Sequence, residues 1–75
     1  MFDDISYWLR EDANRIFQFV YFGGDLAIRL NGKMADGRRM TKFFPIVPAG
    51  DMVKSEEYQI RSAIQEWKKE AGVER

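Results

Sequence analysis

Apolar residues recur along the chain with two different periods. Val53, Ile60, Ala63, Ile64, Trp67 and Ala71 form one stripe at the three-to-four spacing of a helix. Glu56 and Glu57 lie early in that stretch and Lys68 and Lys69 late, which suits the helix dipole, and Gly72 follows as a stop. This predicts a helix over residues 51–71, capped by Asp51 or Ser55.

Between residues 25 and 47 the period falls to two. Leu26, Ile28 and Leu30 alternate with Ala27, Arg29 and Asn31, the pattern of a half-buried strand. Asp36-Gly37 is a turn dipeptide, so Arg38 to Val47 reads as the returning strand of a β-hairpin. A two-residue loop sets Phe43 opposite Leu30, whereas a three-residue loop closing on Gly37 sets Phe44 opposite Ile28. The second register also turns Met40 and Ile46 to the core and is preferred. In either register one of Phe43 and Phe44 faces outward. Pro45 donates nothing to a ladder and marks an edge or a strand end.

Residues 3–22 fit neither period cleanly. As a helix they place Ile5, Trp8, Leu9, Ala13, Ile16, Phe17, Phe19 and Val20 on one side, with Asp12 as the violation and Gly23 as the stop. As a strand, Arg15 to Phe22 alternates poorly, with Gln18 as its one uncharged polar residue after Arg15, but its β-branched and aromatic content favours β structure. Periodicity favours the helix. A break at Asp12, with Asp12 capping a second helical segment that starts at Ala13, also accounts for the violation. The predicted class is therefore α+β: two helices packed on a small antiparallel sheet, in the order α-β-β-α or α-β-β-β-α, as one domain over residues 1–75.

Composition narrows the chemistry. The chain has no cysteine and no histidine, which removes disulfides, thiolate nucleophiles, imidazole bases and the usual zinc ligands. The adjacent carboxylates Asp3-Asp4, Glu11-Asp12 and Glu56-Glu57 diverge by about 100° on a helix and cannot converge on one substrate. A chain of 75 residues is also expected to lack room for a cleft of the usual ~300 Å³. Gly23-Gly24-Asp25 sits in no phosphate-loop motif and reads as a helix stop. No catalytic group, metal site or cofactor is expected.

The charge is balanced, with twelve Lys+Arg against twelve Asp+Glu, so no overall field draws the chain to nucleic acid or membrane. The N-terminus begins Met1-Phe2-Asp3-Asp4, unlike a basic leader, and the apolar run around Phe17 to Phe22 is too short to span a bilayer. A cytoplasmic protein is expected. The balance is uneven locally: Arg29, Lys33, Arg38, Arg39 and Lys42 crowd the hairpin against Asp36 alone. The order of elements resembles double-stranded RNA-binding domains at the level of fold only, because the lysine-rich helix start of those domains is replaced here by Lys54 followed by Glu56 and Glu57. Aromatics make up 15% of the chain, rich for one this short; they serve either to cover the hairpin from both sides or to form a contact surface, since aromatics with arginine are what interfaces enrich.

The sequence thus points to a small protein-binding module contacting a protein target or a second copy of itself. Small neutral proteins without catalytic groups, such as phage and mobile-element inhibitors that occupy a host protein surface, have this character. The alternative is a nucleic-acid-binding accessory protein using the basic hairpin 29–42. The candidate contact residues are Arg29, Arg38, Arg39, Lys42, Phe43 and Phe44, followed by Tyr7 and Tyr21.

Overall fold

A computed structural model of the protein describes residues 3–47 and 55–73. Asp51, Val53 and Lys54 lie outside the described residues. The first helix, α1, is short: Asp3–Glu11. It ends where Asp12 takes over the backbone. The Asp12 carboxylate accepts the Asn14 N–H at 3.0 Å and its carbonyl accepts the Arg15 N–H at 3.2 Å. An aspartate that bonds two residues ahead offers the chain a turn in place of another helical bond.

The helix expected through residue 22 is therefore overturned. Ile16–Phe22 is a strand, β1, joined to β2 (Asp25–Lys33) by Gly23-Gly24. Both glycines have positive φ, 65° and 88°, as a two-residue hairpin turn requires. Gly23 is a hairpin turn residue and not a helix stop. β3 (Arg39–Pro45) completes a three-stranded antiparallel sheet in the order β1-β2-β3.

The second hairpin takes the preferred register, with Phe44 opposite Ile28 and Met40 opposite Gly32. The Gly37 N–H donates to the Met34 carbonyl and the Met34 N–H to the Arg38 carbonyl, closing a three-residue loop on Gly37 at φ 92°.

The second helix, α2, spans Glu56–Ala71. Ser55 is its cap, its hydroxyl accepting the Tyr58 N–H at 3.1 Å. Gly72 ends it at φ 76°, its N–H reaching the Lys69 carbonyl while that of Val73 reaches the Lys68 carbonyl. No helix among the described residues is long and apolar enough to cross a membrane.

Paired residues of an antiparallel ladder share a face. One face therefore carries Leu26, Ile28, Leu30 and Gly32 of β2 with Met40, Lys42 and Phe44 of β3. Both helices pack on this face. Trp8 of α1 and Trp67 of α2 meet edge to face with centroids 4.9 Å apart, both fully buried among Ile28, Leu30, Ile60 and Ile64. The side chain of Arg15, 6% exposed, lies over Trp8 at 4.2 Å and donates to the Trp8 carbonyl and to Glu11. Glu11 also receives Lys68 at 2.7 Å, so one carboxylate ties α1 to α2. The hydrogen bond from Lys68, opposed by partial burial and helped by that from Arg15, holds Glu11 below its ordinary value of 4.5.

Candidate interaction surface

The opposite face of the sheet has no layer of helix on it among the described residues. It is built from Ile16, Gln18, Val20 and Phe22 of β1, the odd-numbered residues of β2, and Arg39, Thr41, Phe43 and Pro45 of β3. The face divides into two halves. At one end Asn31 bonds Thr41 and receives Arg39, which also donates to the Asn14 carbonyl at 2.7 Å. At the other end Phe22 and Phe43 stack across β2, centroids 4.7 Å apart and planes 11° from parallel. The small Ala27 lies beneath that meeting point, between the rows of Asp25 and Arg29, and is buried without a helix over it. Arg29 and its opposite residue Gln18, bonded at 2.8 Å, separate the halves.

The expected contact residues are dispersed by this geometry. Phe43 is the outward ring, 38% exposed, and Arg29 and Arg39 share its face. Phe44 is not part of that surface: it pairs with Ile28 and packs against the core. Lys42 also leaves it, because its strand position faces the helices, where it pairs with Glu70 of α2. Arg38 sits in the turn and is matched by Asp36, which its backbone N–H and guanidinium hold below the ordinary carboxylate value. Tyr7 is exposed on α1 beneath Arg10. Tyr21 lies on β1 and not on the first helix, so the two tyrosines belong to different elements.

Phe22, which is not among the contact residues expected from the sequence, joins Phe43 on the outer face. The signal for it was Gly23-Gly24, which fixes Phe22 as the last residue of a strand once read as a hairpin turn.

Two open grooves correct the expectation that nothing of 300 Å³ would form. One, of about 360 Å³, runs between β3 and α2 past Phe44, Pro45, Tyr58 and Ser62 and has Glu66 as its carboxylate. The other, of about 470 Å³, lies along α1 and has Asp3. Neither groove brings two carboxylates together. Among the described residues no cluster of three metal-ligating side chains occurs, and the Asp12 carboxylate is committed to its turn.

Compared with known protein families, curated proteins and solved structures, the chain matches none.

Proposed function

We propose that the protein is a non-catalytic binding module that docks a target protein on the outer face of its sheet. One observation carries this reading: a stacked aromatic pair, Phe22 on Phe43, sits on a sheet face that no element covers among the described residues, with Arg29 at its margin. Rings standing in water beside an arginine have the composition of interface centres. The partner that fits presents an apolar contact bordered by carboxylates.

A nucleic-acid reading rests on Arg29, Lys33 and Arg39, which share this face and meet no carboxylate among the described residues. Against it, Arg39 is spent on Asn31 and Asn14, and the two rings stack on each other, leaving no slot for a base between them.

The test compares the wild type with the double variant Phe22→Thr, Phe43→Thr, immobilised and exposed to cell lysate with and without nuclease. A retained protein whose binding weakens about thirtyfold in the variant supports the reading, the size expected when a hot spot of about 2 kcal/mol is removed. Equal retention by both, or retention abolished by nuclease, overturns it.

A further inference from the structure

The two edges of the sheet are protected unequally. Exposed edges present unpaired N–H and C=O groups, and proteins blunt them with charge, proline or bulges. β3 carries Arg39, Lys42 and Pro45. β1, Ile-Phe-Gln-Phe-Val-Tyr-Phe, carries no charge and no proline, and Ile16, Phe19, Tyr21 and Phe22 are all exposed.

The ladder shows which groups this edge offers. The Ile46 N–H donates to the Leu26 carbonyl, so the even-numbered residues of β2 bond toward β3. By alternation its odd-numbered residues bond toward β1, where their partners are Ile16, Gln18, Val20 and Phe22. Phe17, Phe19 and Tyr21 therefore direct their N–H and C=O groups away from the sheet, and no hydrogen bond takes them up among the described residues.

We infer that this edge binds the β1 edge of a second copy, antiparallel across a two-fold axis at Phe19, to form a six-stranded sheet. The register follows from the outward groups. Centred on Phe19, Phe17 meets Tyr21 of the second copy, and all three outward residues pair with outward residues. Shifting the centre to Gln18 sets Tyr21 against Arg15, whose N–H already serves Asp12. Shifting it to Val20 sets Phe17 against Gly23, which has left the strand at φ 65°. An uncharged strand meets its own copy without like-charge repulsion, and the rows of outward residues, Phe17 on Tyr21 and Phe19 on Phe19, are aromatic on aromatic. Assembly stops at two copies, because each outer edge of the joined sheet is then a β3 with its proline and cations.

Phe19, Tyr21 and Phe22 are 54%, 81% and 60% exposed. With rings of about 200 Å² each, that leaves roughly 400 Å² of aromatic surface per protomer, about half of a standard interface, so the dimer is the weak and concentration-dependent kind. This edge meets the outer face at Phe22, and the Phe22→Thr, Phe43→Thr variant, which loses the stacked rings but keeps the outward backbone groups of β1, lets the two proposals fail separately.

The experiment is sedimentation of the full chain from about 1 µM to about 1 mM, joined to amide hydrogen exchange at both ends of that range. Association is expected in the upper part of the range, with the Phe17, Phe19 and Tyr21 amides gaining protection while those of Thr41 and Phe43 do not. Tyr21→Pro removes an outward donor without touching the β1–β2 ladder, and Phe19→Lys sets two cations against each other at the axis. Each should weaken association about tenfold or more, which is about 1.4 kcal/mol. The Phe22→Thr, Phe43→Thr double variant should still associate through its outward backbone groups. A monomer throughout the range, protection appearing at β3 instead, or association unchanged in Phe19→Lys overturns the inference. Exchange on the wild type needs no variant, so a misfolded proline variant does not blunt the test.

Discussion

Ile28, Leu30 and Gly32 alternate along β2 with Ala27, Arg29 and Asn31, so neighbouring residues of one strand build two unlike faces. The first face is closed by two helices around two fully buried tryptophans and a cation held over their rings. Among the described residues the second is closed only by its own side chains, a ring pair at one end and an amide–guanidinium network at the other. Burial of apolar area is the main source of stability. Stability therefore rests mainly on the helix-covered face, and the open face is the one proposed for recognition.

The comparison breaks first at Trp67. It is fully buried, touches Trp8, and donates its indole N–H to the Met40 carbonyl at 3.3 Å. Trp67→Ala should cost about 3–5 kcal/mol, most of what a domain this small possesses. Thermal unfolding would then begin well over 10 °C lower, at about 4–8 °C per kcal/mol. A midpoint within a few degrees of wild type would show that α2 is docked by other contacts.

A smaller loss is expected at Gly32, whose place on the covered face depends on having no side chain. A Cβ there would stand 3.0 Å from Cη2 and 3.2 Å from Cζ2 of Trp67, and 3.1 Å from Cγ of Arg15. The indole is held by Trp8 and Met40, and Arg15 by Glu11 and Trp8, so neither gives way easily. Gly32→Ala should cost about 1–3 kcal/mol, as overpacking does. Near-UV circular dichroism would follow the displaced indole, and an unchanged spectrum with unchanged stability would refute the contact.

These two sites show what was readable in the sequence. α2 and the second hairpin announce themselves because burial is one-sided there and the caps and turns, Ser55, Asp36-Gly37 and Gly72, use residues chosen for their backbone. β1 did not, because most of its side chains are exposed on both faces and Phe17 alone packs against the core, too little to impose an alternation on Ile16 to Phe22. Reading a helix through that run also turned Gly23-Gly24 into its stop. The misplaced Asp12 was the trace of the break. Phe43 as an outward ring followed from the register, whereas its partner Phe22 waited on the strand. Arg15 was unreadable as a core residue, since its burial depends on two tryptophans 59 residues apart in the chain meeting beside it.

A third effect, smaller again, depends on pH. Glu11 lies below its ordinary 4.5 in the folded chain because Lys68 and Arg15 bond it, so it stabilises the fold above that value. The contribution is lost as pH falls from about 4.5 through the lower folded value. Its side chain is 38% exposed, and solvent screening keeps the effect to about 0.5–1 kcal/mol. Glu11→Gln should lower the midpoint at neutral pH by a few degrees, and the gap from wild type should close as pH falls below 4.5. A gap constant with pH would mean that the carboxylate charge contributes nothing.

An effect of similar size belongs to the open face. Phe22 is 60% exposed, so Phe22→Thr gives up little buried area and keeps a β-branched residue in the strand. What it does lose is the stack on Phe43, and aromatic pairs contribute about 0.5–1.5 kcal/mol beyond their area. Phe43→Thr loses the same stack together with the more buried ring of the two. A double-mutant cycle separates these terms, since each single variant removes the pair and the double variant removes nothing further of it. The coupling should fall in that range of about 0.5–1.5 kcal/mol, with Phe22→Thr alone costing no more than the coupling itself. A Phe22→Thr cost approaching that of Trp67→Ala would mean that the open face holds the fold as firmly as the covered one, and the division between a stabilising face and a recognising face would collapse. A coupling of zero would leave the two rings as independent exposed side chains, and the outer face would lose the organised aromatic centre from which its binding role is argued.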